Sequence, residues 1–245
     1  MYIDTSFDFR TDSRSKDPDS YSPTLRKYHQ FLWSKALPTC GELILDEQLK
    51  NISDVGEFWF SSDSVIHTFS YWASYQHIIK QFDPMVIEDF IYKSYTIGGM
   101  TIFPANKVDG KATINAARGM NRKISDRIDL TLECIRLYYL GAKSPLFDCL
   151  SRYDSFFNLF GSFRGYVEFF LMDDLINEND SVRFFHPFEE FGKNVLPATA
   201  EEYNRYRENC LQFIESRNHR IDLFYNKYLT HRECFKHTGK GLIQI

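Results

Sequence analysis

The chain has 245 residues, 43% of them hydrophobic, with 23 Phe, 15 Tyr and 3 Trp, which excludes an intrinsically disordered protein and supplies enough apolar surface for a sizeable core. The net charge of −4 and a pI near 6.0 exclude a global positive field that would recruit nucleic acid or an anionic membrane. The opening residues lack the basic and apolar runs of a signal peptide, and no window holds about 18 uninterrupted apolar residues, so the expected location is the cytoplasm with no membrane partner. Five cysteines, Cys40, Cys134, Cys149, Cys210 and Cys234, are widely spaced and form no CxxC pair, which fits reduced thiols.

Residues 1–22 read as an irregular arm, charged and rich in Ser and Asp around Pro18. SPTLRKYHQFLW then predicts a helix with Ser22 as N-cap and Pro23 at its first position. GELIL and EFWFSS predict short strands separated by a polar link, and Val65 to Tyr92 reads as mostly helical with a break at Asp83-Pro84. YTIGGMTIFP and KATIN flank ANKVDG, whose Asp-Gly predicts a hairpin, with Pro104 placing the first strand at an edge. Gly98-Gly99 inside that pattern marks a bulge or tight packing.

After Gly119 the chain reads as helical, with further helices from Ser144-Pro145 to Phe160 and over RGYVEFFLMDDLI. VRFFHPF predicts a strand, and Thr199 with Glu202 a capping box for a long helix through about Tyr228, ahead of a tail over about 230–245. The expected class is α+β, a small antiparallel sheet in the N-terminal half and a helix-dominated C-terminal half, in a single domain over 1–245.

The most informative stretch is NRKISDRIDLTLECIRLYY, from Asn121 to Tyr139. On a regular helix Arg122, Asp126, Asp129, Glu133 and Arg136 fall within an arc of about 80°. Apolar residues press on both sides: Ile128, Leu132 and Tyr139 on one, Leu130 and Leu137 on the other. Such a strip is enclosed or lines a cleft, and enclosed charges must be paired because desolvation costs several kcal/mol per ion. Its three acids outnumber its two arginines, so a further arginine, a divalent metal or a ligand would complete the balance; Arg118 and Arg164 are the nearest candidates.

Two readings follow from that pattern. In one, the strip is a salt-bridge network that fixes helix packing. In the other, Arg118, Arg122, Arg136 and Arg164 hold an anionic group while Asp126, Asp129, Glu133 or Glu168 acts as general base or metal ligand. Glu168, one turn after Arg164, would add a carboxylate from a second helix, the way two-helix metal sites are built. ARGMNRK, with Gly119 before a helix start, also suits a phosphate cradle, although it matches no Walker or Rossmann fingerprint.

Weaker signals accompany these. His231, Cys234 and His237 are three apart, yet on a regular helix they do not converge on a zinc ion. HPFEEFGKN from His186 departs from the Fic-type AMP-transferase signature at Phe191 and Lys193 and lacks its terminal Gly-Arg. His29 and His67 sit among apolar neighbours, the setting of hydrogen-bonded core histidines.

DPDSYSPTLRKYHQFLWSKALP, FSSDSVI, YTIGGMTIFP, INAARGMNRKISDRIDLTLECIRLYY, SPL and FRGYVEFFLMDDL resemble a family of uncharacterised bacterial proteins, a domain of unknown function, over roughly Phe7 to Ile221. The resemblance implies a cytoplasmic bacterial or prophage-type protein and carries no activity. The residues themselves lead to an expected pocket for a phosphate-bearing ligand, a nucleotide or a nucleic-acid end. The rival expectation is a non-enzymatic module that binds a protein partner through exposed aromatics.

Overall fold

The computed structural model describes the backbone of residues 3–238 apart from 42 and 65, and side chains as far as 225. Three antiparallel strands form the sheet: β1 (Lys50–Ser53), β2 (Gly56–Ser64) and β3 (Met100–Pro104), in the order β1-β2-β3. β1 and β2 make a hairpin in which Ser53 faces Gly56. β3 returns about forty residues later to pair its Met100 with Ser64 and its Pro104 with Phe60, so the α+β class holds.

The helices are α1 (Pro23–Trp33), α2 (Pro84–Ser94), α3 (Ile114–Met120), α4 (Ile128–Tyr139), α5 (Phe163–Phe169) and α6 (Ala200–Thr238), joined by single helical turns. α1 starts as its sequence dictates, Ser22 Oγ accepting the Leu25 amide with Pro23 next. At α6 the Thr199 hydroxyl accepts the Glu202 amide, while the Glu202 carboxylate reaches back to the Ala198 amide. The capping box is therefore present with its return bond shifted by one residue.

Several expected elements are absent for visible reasons. KATIN is no strand, because Thr113 instead caps α3 by accepting the Ala116 amide, and β3 takes β2 as its partner. Among the described residues, GELIL and VRFFHPF contribute only the isolated bridges Leu37–Gly41 and Ile176–Val182. Between residues 66 and 83 the expected long helix reduces to short turns at Ala73–Tyr75 and Gln76–Ile79. The expected tail at 230 continues α6 to Thr238. The N-terminal arm is turn-rich yet packed, with Ile3, Asp8 and Phe9 buried.

The core is aromatic. Trp33 stacks on Phe60 at 4.1 Å, and Phe156, Phe169 and Phe170 pack against Trp33. α6 lays Tyr203, Tyr206, Cys210, Phe213, Arg217 and Ile221 along this core at helical spacing. Arg217, fully buried, donates to the carbonyls of Phe170 at 3.0 Å and Gly98 at 2.9 Å, to that of Met100, and to the Tyr28 hydroxyl at 3.1 Å. Gly98 packs so close to α6 that its amide donates to Asn218 Oδ1 at 2.6 Å, which identifies the Gly-Gly signal as tight packing. No helix among the described residues is long and apolar enough to cross a membrane.

Candidate functional site

The stretch from Asn121 to Tyr139 is not one helix. Residues 121–127 form turns in which Ser125 and Asp126 take φ of 47° and 56°, and α4 begins only at Ile128. Left-handed backbone costs an L-residue about 1–2 kcal/mol, a strain that the surrounding contacts must hold. Its effect is to break the charged line in two. Asp126 swings toward α3, while Asp129, Glu133 and Arg136 stay on α4.

The α4 charges are spent on one another. Arg127 and Asp129 are both fully buried, and Arg127 Nε and Nη2 donate to the two carboxylate oxygens. The remaining valences go to the Phe185 amide on Asp129, and to the His186 and Val195 carbonyls on Arg127. Glu133 and Arg136 form a bidentate pair at 2.7 and 2.8 Å. Of these two separate pairs, Arg127–Asp129 ties the start of α4 to the segment 185–195, whereas Glu133–Arg136 closes within α4.

The other candidates scatter. Arg122 lies exposed on the surface. Arg164 pairs with Asp180 and reaches the carbonyls of Asn177 and Glu178, while the Glu168 side chain is exposed and brings no second-helix carboxylate to the strip. No group of three or more His, Cys, Asp or Glu side chains able to hold a metal occurs among the described residues. ARGMNRK makes no phosphate cradle, because Arg118 turns inward while Arg122 and Lys123 turn outward. The side chains of His231, Cys234 and His237 lie outside the described residues.

Arg118 and Asp126 come together at an open volume. Arg118 sits in the last turn of α3 with its side chain fully buried. Its Nε donates to Thr131 Oγ1 at 3.0 Å and its Nη1 to Asp63 Oδ2 at 2.8 Å. Nη2 lies 3.3 Å from Asp126 Oδ1 without the alignment of a hydrogen bond, leaving both atoms without one. One guanidinium thus stands behind two carboxylates from separate elements, the end of β2 and the turn before α4.

On the far side of those carboxylates is a cleft of about 240 Å³, lined among others by Asp63, Asp126, His67, Tyr71, Trp72 and Tyr95. Burial lifts the Asp63 carboxyl to about 6, against the pull of Arg118 and with a push from Asp126. Its side chain keeps 34% exposure, so solvent tempers that effect. Asp126 is raised as well, by burial first. His67 is lowered to about 4 by burial and by Arg118, so its ring is neutral at pH 7.

His67 Nδ1 accepts the Phe69 amide at 3.0 Å, which fixes the neutral tautomer with its proton on Nε2. The ring stacks on Phe69 at 4.5 Å and meets Trp72 edge-on at 4.9 Å. Two tyrosines of α6 hold this wall: Tyr206 donates to the His67 carbonyl and Tyr203 to that of Thr68. His29 by contrast is a core histidine, bonded to Ser62 Oγ at 2.7 Å.

Residues 3–221 match the family of unknown function DUF6994. The chain belongs to that family. The family match takes in every residue of the cleft, together with Arg118 and the two tyrosines that brace it. No curated protein and no solved structure matches the chain. Of the cleft residues, sequence reasoning reached Asp126 as a site candidate and treated His67 as core. Asp63, Tyr71, Trp72 and Tyr95 come from segments that converge only in the fold. Their one local signal was Asp63, a carboxylate at the end of the otherwise uncharged strand stretch FWFSSDS.

Proposed function

We propose that the Asp63/Asp126 cleft binds a small polar ligand and that Asp63 acts there as a general base. The observation carrying this reading is the pair of carboxylates, backed by a buried arginine, that faces open volume beside a histidine of fixed tautomer. A carboxyl near 6 can accept a proton at neutral pH more effectively than an ordinary one. At about 240 Å³ the cleft falls below the roughly 300–1,000 Å³ of drug-sized ligand sites, which favours a metabolite of few heavy atoms.

A phosphate-bearing ligand, such as a nucleotide or nucleic-acid end, is the second reading. It is favoured by Arg118 Nη2, an N–H with no hydrogen-bond partner, which an anionic oxygen could take if Asp126 turned aside. A divalent cation bridging the carboxylates to the phosphate would serve the same reading. The setting we assign is a bacterial cytoplasm, supported by the resemblance and by the free thiols of Cys40, Cys134, Cys149 and Cys210.

The test is a thermal-shift screen of a metabolite panel, including nucleotides and divalent cations, on the wild type and on Asp63→Asn and Asp126→Asn. A ligand at about a hundred times its Kd stabilises by roughly 2.7 kcal/mol. A shift in the wild type that both variants lose while still folding supports the site. A panel that shifts nothing, or shifts all three proteins alike, removes it and leaves a protein partner, for which the 82% exposure of Tyr71 is the starting point.

A further inference from the structure

Among the described residues the cleft and its backing are short of one positive charge. Two carboxylates, Asp63 and Asp126, share the single guanidinium of Arg118, whose third edge is occupied by the Thr131 hydroxyl. His67 contributes no charge at neutral pH. Arg10, the guanidinium stacked on Tyr95, is already committed, held by both oxygens of Asp8. Arg118 lies behind the acids, so the face they present to the cleft is negative.

The walls of the cleft are aromatic. Tyr71, Trp72 and Tyr95 all line it, and Tyr71 is 82% exposed although a large ring loses favourable burial there. One of these rings already shows its affinity for a cation: the Arg10 guanidinium lies 3.6 Å from the centroid of Tyr95. Carboxylates that supply charge, with ring faces that supply polarisable apolar contact, are the chemistry by which proteins recognise organic ammonium ions. A bare metal ion would use only the carboxylates, and among the described residues no third His, Cys, Asp or Glu joins them in a metal-binding group.

Resting on the reading of this cleft as a binding site, we infer that its ligand class is a small organic cation, a primary or quaternary ammonium group set between the Asp63/Asp126 carboxylates and the Tyr71, Trp72 and Tyr95 rings. One such ion restores the balance of two negative and two positive charges. The cleft volume admits an ammonium ion of this size together with a short polar tail.

The experiment titrates three probes into the full chain: choline, its neutral analogue in which carbon replaces nitrogen, and inorganic phosphate. Backbone amide shifts of Ser64, His67 and Tyr95 report the cleft, and calorimetry gives the affinities. Choline is expected to move those amides saturably and to bind at least about tenfold more tightly than the neutral analogue. Tyr71→Ala, a change at an exposed ring that leaves the core intact, should weaken choline roughly two- to fivefold and the analogue by less.

An analogue that binds as tightly as choline, or phosphate that moves the amides while choline does not, overturns the cationic assignment and leaves the binding site standing. If none of the three moves those amides, the assignment falls, and the site itself is then judged by the metabolite panel. A choline affinity unchanged in Asp63→Asn also overturns it, because the charge argument requires that carboxylate.

Discussion

Arg127 and Asp129 clasp each other around a single intervening residue, with neither side chain reaching solvent. The clasp joins the first turn of α4 to the segment 185–195, because Asp129 also takes the Phe185 amide and Arg127 the carbonyls of His186 and Val195. Removing one partner leaves an uncompensated buried charge. Asp129→Asn is therefore expected to destabilise by about 3–5 kcal/mol, read as a lowered midpoint in urea. A loss below about 1 kcal/mol would show that the pair is not what holds this segment.

Arg217 makes a second prediction. Its guanidinium hydrogen-bonds to neutral oxygens, the Tyr28 hydroxyl and the carbonyls of Gly98, Met100 and Phe170. Arg217→Met keeps much of the volume and strips those carbonyls of their donor, so a loss of roughly 2–5 kcal/mol is expected in chemical denaturation.

Gly98→Ala tests the close approach of α6. A Cβ built there would stand 2.5 Å from the Ile214 carbonyl oxygen and 2.7 Å from Asn218 Oδ1. The Asn218 side chain can turn away, whereas the helix carbonyl cannot. Overpacking of this kind costs about 1–3 kcal/mol, and an unchanged thermal midpoint would contradict the packing described.

Asp63 gives the pH dependence. The groups facing it or lining its cleft are Arg118, Asp126, His67, Tyr71 and Tyr95. Its folded value, about 6, lies above the ordinary 3.8, so the folded state holds the proton more firmly than the unfolded one. Its stabilising contribution is present in full below about 4 and is lost as pH rises through about 6. Compared with Asp63→Asn, which cannot titrate there, the wild type should lose stability between pH 4 and 6.5. Parallel stability curves for the two proteins would refute the raised value.

The control predictions concern residues that drop out of the site. Arg122→Ala and Glu168→Gln alter exposed side chains, and each should change stability by no more than about 0.5 kcal/mol and leave ligand response intact. A loss of ligand response in either would return it to the site.

The α+β class and the caps of α1 and α6 were legible because hydrophobic period, Pro, Ser and Thr act locally. The enclosure of Asp129 and the near-burial of Glu133 were legible too, since apolar neighbours flank both acids on the helix. The break at Ser125 and Asp126 was not, for neither is the Gly or Pro that would signal left-handed backbone or a helix stop. That break decides which acids are structural and which face the cleft. Arg127 escaped notice because it falls off the helical line; it reaches Asp129 only as the residue just outside the helix start. KATIN failed as a strand since Thr113 serves equally as a β-branched strand residue and as a helix cap, and the choice was made by β2 accepting β3.

The tyrosine hydroxyls of α6 that grip the carbonyls of Thr68 and His67 do so across 135 and 139 residues of chain. During synthesis the segment carrying His67, Tyr71 and Trp72 emerges well before these two anchors, which follow only when most of the remaining chain has been made. That wall of the cleft is therefore completed late, and loop closures over such separations slow the search for these contacts. A nascent chain halted before Tyr203 would expose those rings to chaperones and proteases rather than to a ligand.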